Sequence, residues 1–208
     1  MPSVRLPIVR HPIVRLPIVR ILCGLLLLGH APARAAEDLV VAASRKDALI
    51  EVRARATLEA PLSLVWDTLT DYERLPEFIP GLKRSRVLSR DGPRAIVEQS
   101  GEARFLIFSF PIEVTLESLE LPPTSIRVRA LAGNLRHLEG AYEVTPDSHG
   151  PKVVLQWTGL IAPDISLPPL LGEMLIRASI ADQFTGMVHE IERREVVRRA
   201  REKDGRKK

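Results

Sequence analysis

Thiol chemistry is almost missing from this sequence, whose one cysteine is Cys23. It lies at the start of an apolar run rather than after it, which argues against lipid attachment, and no disulfide framework is available. Aromatic residues are scarce at 4%, and no basic face accompanies them, so a nucleic-acid partner is not expected. Beyond residue 36 the histidines are His137, His149 and His189. None has metal-ligand spacing with another His, Cys or acidic cluster, and no P-loop, nucleophile elbow or dinucleotide fingerprint occurs. The expectation is no metal and no cofactor.

Long hydrophobic runs are also lacking. The apolar stretch Ile21 to Leu28 follows Arg5, Arg10, Arg15 and Arg20 and precedes Ala31-Pro32-Ala33-Arg34-Ala35-Ala36. That order of basic, apolar and small residues is the pattern of a secretory signal, expected over residues 1–36 with cleavage near Ala36. The mature protein would then be periplasmic or secreted. An uncleaved anchor is the alternative. The near-repeats Leu6-Pro7-Ile8-Val9-Arg10, His11-Pro12-Ile13-Val14-Arg15 and Leu16-Pro17-Ile18-Val19-Arg20 are too short for a solenoid unit and read as expansion of the signal's basic region, with an upstream choice of start codon as the alternative.

Removing the leader alters the charge. The whole chain is +4, but the leader holds five arginines and no acid, leaving 25 Lys+Arg against 26 Asp+Glu. Residues 193–208 still carry nine Lys/Arg and three Asp/Glu. This basic tail, assigned to 196–208, suits either a solvated helix end or peripheral contact with anionic lipid.

What remains is a chain of 208 residues with 45% apolar residues, enough for one core. Residues 37–46 read as a polar lead-in. Ile50, Val52, Ala54, Ala56 and Leu58 alternate with Glu51, Arg53, Arg55 and Thr57, the signature of a half-buried strand. Pro61 to Leu69 and Tyr72 to Ile79 suit short helices, stopped by Pro80-Gly81. Strand patterns follow over Lys83 to Arg90, Arg94 to Phe110 with a bend at Gly101, Ile112 to Leu121, Ser125 to Leu131, Leu135 to Thr145 and Lys152 to Ile161. The last element is a helix over Leu167 to Arg201, with apolar Leu170, Leu171, Met174, Leu175, Ala178, Ala181, Phe184, Met187, Val188 and Ile191 forming a broad stripe. Beyond Ile191 it is expected to enter water. An antiparallel meander with one apolar face needs a cover, and only this helix is long enough to supply it.

The segment Val65-Trp66-Asp67-Thr68-Leu69-Thr70-Asp71-Tyr72, followed by Leu75-Pro76-Glu77-Phe78-Ile79-Pro80-Gly81, and the later Gly133-Asn134-Leu135-Arg136-His137-Leu138-Glu139-Gly140 carry a resemblance. Together with the element order, they resemble the polyketide cyclase/dehydrase and coenzyme Q-binding branch of the START-like, helix-grip superfamily (SRPBCC). The likeness covers residues 47–195. It implies an α+β helix-grip fold, with a curved antiparallel sheet wrapped around a long C-terminal helix and two short helices after the first strand. It also implies a hydrophobic small-molecule ligand (lipid, quinone or polyketide-like) held between sheet and helix. An export signal departs from the coenzyme Q-binding proteins, which act at the inner mitochondrial membrane or in the cytoplasm.

Strand alternation nominates Val97, Gln99, Ala103, Phe105, Val114, Leu116, Val128, Leu138, Tyr142, Leu155 and Trp157 as cavity-facing, with Met174, Ala178, Ala181 and Phe184 opposite. Trp66, Tyr72 and Phe78 are candidates for a gate. Each apolar position also fits a solid core, and Gln99 and Tyr142 also fit simple hydrogen bonding to backbone. The acid/base candidates are His137, Glu139, Tyr142 and Asp71; His137 and Glu139 share the face opposite Leu138 and Tyr142, pointing away from the cavity, and Asp71 suits a turn. No catalytic residue is assigned. The reading is an exported binding or carrier protein, with a cyclase/aromatase-type or hydrolytic enzyme, or a ligand-free interaction module, as alternatives.

Overall fold

The computed structural model describes residues 37–105, 108–147, 152–164 and 169–206. The expected leader, residues 1–36, lies outside the described residues.

Eight strands form one antiparallel sheet in the order β1-β2-β8-β7-β6-β5-β4-β3. They are β1 Glu37–Lys46, β2 Leu49–Leu58, β3 Leu82–Asp91, β4 Arg94–Phe105, β5 Phe108–Leu121, β6 Ser125–Gly133, β7 Leu135–Pro146 and β8 Val153–Pro163. Between β2 and β3 come helix α1, Leu62–Leu69, and a 3-10 helix, Tyr72–Glu77. Helix α2, Pro169–Gly205, is the last element among the described residues. The helix-grip architecture expected from the sequence is present: a long curved sheet gripping one C-terminal helix.

Three expectations are corrected. The polar lead-in is strand β1, paired with β2 through Lys46↔Leu49 and a tight turn in which Asp47 adopts φ 55°. The short helices therefore follow the second strand. The long run Arg94 to Phe110 is two strands, since Phe105 pairs with Phe108 and the chain reverses between them. Pro111 consequently lies inside β5. It is tolerated because its carbonyl points to the β6 side, where Asn134 rather than a strand meets it, so the missing N–H breaks no ladder bond. Asn134 Nδ2 donates to the Pro111 carbonyl at 2.8 Å and the Glu113 N–H donates to Asn134 Oδ1 at 3.0 Å. The side chain thus extends the ladder past the end of β6. Gly133 makes the approach possible, since it holds φ 120° and a Cβ there would stand 2.0 Å from the Glu113 carbonyl oxygen.

The third correction concerns α2. It does not leave its packing surface at Ile191, because Glu195, one turn further, is only 4% exposed, and Arg199 donates to the Glu59 carbonyl at 3.1 Å. The helix packs against α1 as well as the sheet. Its buried stripe is Leu175, Ile176, Phe184, Met187, Val188 and Ile191, with Ile180 partly buried against the core.

Candidate ligand cavity

Sheet register explains where space is left. At one level Val52, Gly159, Gly140, Val128, Ser118 and Ala95 lie side by side across six strands. Inward-facing side chains are small along this row, so the sheet has a trough. At the next level Ala54, Trp157, Tyr142, Ile126 and Glu120 are neighbours. The Trp157 indole folds flat over the two glycines, where a Cβ on Gly159 would come within 2.3 Å of the ring. Tyr142 stands beside it, ring centroids 6.4 Å apart and tilted by 57°.

Two lobes, each of about 160 Å³, occupy the space between sheet and α2. They share Leu82, Gln99, Leu116, Leu138, Ile180 and Gln183, so they adjoin at a waist. The inner lobe lies over the trough. It is walled by Val97, Ser118, Val128, Tyr142, Trp157, Phe184 and Met187, and closed by Leu69, Tyr72, Leu75 and Ile79 from α1 and the 3-10 segment. The outer lobe is walled by Ala103, Phe110, Ile112, Val114, Leu135, Ile161, Leu175 and Ile176. Gln183 lines both lobes while staying exposed, which marks contact with solvent on the α2 side.

Of the residues nominated from sequence, Val97, Gln99, Ala103, Val114, Leu116, Val128, Leu138, Tyr142, Trp157 and Phe184 line one lobe or both. Leu155 is buried in the core without lining either. The side chain of Phe105 lies outside the described residues. Met174 is 44% exposed, and neither it nor Ala178 or Ala181 lines a lobe. The helix instead presents Ile176, Ile180, Gln183 and Phe184. Of the three gate candidates, Tyr72 lines the inner lobe. Trp66 packs on the core, and Phe78 lies outside both lobes under the Arg194 guanidinium, 5.5 Å from its ring centre.

Polar groups are few and specific. Gln99 Nε2 donates to Ser85 Oγ at 3.3 Å, so this side chain both satisfies a neighbour and faces the waist. Tyr142 lies deep in the domain, and burial pushes its hydroxyl up to about 12, keeping it a neutral donor. Tyr72 is 6% exposed, and its buried hydroxyl lies beside Ser118 and Glu120 without a hydrogen bond of normal geometry. Burial, reinforced by the Glu120 carboxylate, raises it well above the ordinary phenol range. Arg90 pairs with Glu120 at 2.9 Å and stands 5.6 Å over the Tyr72 ring, outside the lobe. The one carboxylate among the described lining residues is Glu102 in the outer lobe. A Ser109 hydroxyl at 2.9 Å and Lys83 at 3.3 Å, with Arg104, hold it below the usual carboxylate range. His137 and Glu139 line neither lobe. Among the described residues no cluster of three His, Cys, Asp or Glu side chains suits a metal ion.

The fold recurs in solved structures of low identity. A STAR-related lipid transfer protein from Xanthomonas axonopodis is 15% identical, with TM-score 0.62, over 75% of this chain and 94% of that one. The Zhui aromatase/cyclase from Streptomyces sp. R1128 is 19% identical, with TM-score 0.58, over 70% and 95%. A START superfamily protein from Mycobacterium smegmatis is 17% identical, with TM-score 0.55, over 69% and 97%. No curated protein sequence matches the chain. Residues 58–188 do match the family model described as polyketide cyclase / dehydrase and lipid transport. This span contains α1, the 3-10 segment, β3 to β8 and the cavity-facing part of α2, and the chain belongs to the polyketide cyclase/dehydrase and lipid transport family.

Proposed function

We propose that this protein is an exported binding or carrier protein that holds a hydrophobic small molecule between the sheet and α2. The observation that carries the reading is the two-lobed space between sheet and α2, whose inner lobe opens over Val128 and Ser118 of the trough and whose walls are apolar side chains with a few hydroxyls and amides and, in the outer lobe, the Glu102 carboxylate. Its mechanism is shielding: apolar ligand surface leaves water at roughly 25 cal/mol per Å². Family membership supports ligand binding, and the N-terminal residue pattern supports export to the periplasm or beyond.

Native mass spectrometry with lipid extraction, on protein purified from its own compartment, tests the reading. A stoichiometric co-purifying lipid, quinone or polyketide-like molecule is expected. A bare protein mass, with no thermal shift on panels of those compounds, overturns it. N-terminal sequencing of that material tests export, and a chain still beginning at Met1 overturns cleavage near Ala36.

One observation favours the catalytic alternative of a cyclase/aromatase type. Tyr142, neutral and deep in the lobe, is placed to donate a hydrogen bond to a substrate carbonyl. Turnover of aromatic polyketide precursors, lost in Tyr142→Phe, would establish it. Peripheral contact with anionic lipid through the tail belongs to the carrier reading. Arg198 and Arg199 are held by Glu195, so among the described tail residues that contact falls on Arg201, Lys203 and Arg206.

A further inference from the structure

The inner lobe has a chemical bias that narrows its ligand, and this inference rests on the carrier reading. Among the described residues lining that lobe there is no Lys, Arg, His, Asp or Glu. The polar groups on offer are hydroxyls and amides. Ser118, 2% exposed, faces the lobe from β5 beside the unpartnered Tyr72 hydroxyl, and Tyr142 faces it from β7. Arg90, whose guanidinium stands over the Tyr72 ring, is already paired with Glu120.

A carboxylate entering such a lobe would lose its hydration without gaining a countercharge, a large cost. A carbonyl or hydroxyl oxygen loses far less, and hydroxyl donors replace its water. An apolar tail then continues through the waist into the outer lobe. We infer that the cavity selects neutral amphiphiles bearing a terminal carbonyl or hydroxyl oxygen, received by the hydroxyls of Ser118, Tyr142 and Tyr72, and rejects the corresponding carboxylates.

The test is calorimetric titration of the full chain, stripped of bound lipid, with four probes of equal chain length: octyl methyl ketone, decanol, decanoic acid and decane. The ketone and alcohol are expected to bind more tightly than decane. Decanoate should bind about a hundredfold or more weakly than the ketone at about pH 8, and regain affinity towards about pH 5 as the acid form appears. Ser118→Ala and Tyr142→Phe should each weaken the ketone about three- to tenfold and leave decane unchanged. That split separates loss of a hydrogen bond from loss of packing. Equal binding of ketone, acid and alkane at about pH 8, or variants that weaken ketone and alkane alike, overturns this inference and leaves the carrier reading standing. Failure of all four probes to bind overturns both.

Discussion

Arg194, in the C-terminal half of α2, donates to Asp71 at 2.8 Å across 123 residues of sequence. Asp71 immediately precedes the 3-10 segment that closes the inner lobe, so this bond fastens the closure to the helix. The same guanidinium bonds Glu190 at 2.7 Å and lies over Phe78, just beyond the 3-10 segment's other end. With side chains 16% and 26% exposed, the pair is partly buried and worth more than a surface bridge.

Arg194→Ala should therefore destabilise the fold by about 1–3 kcal/mol, since Glu190 is left short of a partner and Phe78 loses its cover. Asp71→Ala should cost about 1 kcal/mol or less. Both should speed release of a bound probe. A double-mutant cycle by urea unfolding and stopped-flow release decides the matter, and strict additivity of the two changes would remove the fastening role.

Acid should weaken the anchoring of this part of α2. Glu190 accepts from Arg193 at 2.6 Å and from Arg194 at 2.7 Å, and these bonds bring its carboxyl from 4.5 down to about 2. It is shielded mainly by its own arginines rather than by the core. A carboxyl lowered in the folded state adds stability above its unfolded value, and that share is lost as pH falls through the folded value. Unfolding followed between about pH 5 and pH 2 should show a decline that is shallower in Glu190→Gln. An unchanged slope in that variant would place the acid sensitivity elsewhere, with Glu195 the next carboxylate to examine.

Much of this fold was legible in the sequence, and the exceptions have physical causes. Strand β2 announced itself because Ile50, Val52 and Ala54 face the core while Glu51, Arg53 and Arg55 face water. Strand β1 did not, because its outward Val40 and Ala42 are as apolar as its inward Val41 and Ala43. Alternation in polarity was missing although alternation in direction was not. On α2 two overlapping stripes compete: Met174, Ala178 and Ala181 form one helical row, and Ile176, Ile180 and Phe184 another. Only the partner sheet decides between them, and it takes the bulkier row. The inward sides of β4 to β8 followed from alternation, so most of the sheet's lining was readable. The Gly140↔Gly159 pairing was not, because it depends on register between strands rather than on either strand alone.

That pairing makes a prediction of its own. Gly159→Ala would place a methyl 2.3 Å from the Trp157 ring and force the indole off the sheet into the inner lobe. The expected cost is about 1–3 kcal/mol from overpacking, with ligand affinity lost more sharply than stability. Near-ultraviolet dichroism of Trp157 in a Trp66→Phe background reports the tilt. An unaltered spectrum together with unaltered binding would show that the trough accommodates a side chain after all.

The Asn134 bridge predicts a local effect rather than a global one. Asn134→Ala removes the bonds to Pro111 and Glu113 at 2.8 and 3.0 Å, while the Asn134 backbone N–H still donates to the Glu113 carbonyl at 2.9 Å. These groups are exposed, so water replaces part of what is lost and global stability should fall by only about 0.5–1.5 kcal/mol. The Glu113 amide, however, loses its acceptor beyond the end of β6 and should exchange its hydrogen faster, with Val114 and Leu116 less affected because their ladder pairs on β4 remain. Since Ile112 and Val114 wall the outer lobe, the ketone's alkyl tail should bind more weakly while its oxygen contact in the inner lobe is kept. Hydrogen exchange read residue by residue separates these outcomes. Uniform acceleration across β4 to β6 would mean that Asn134 supports the sheet as a whole instead of completing one edge of it.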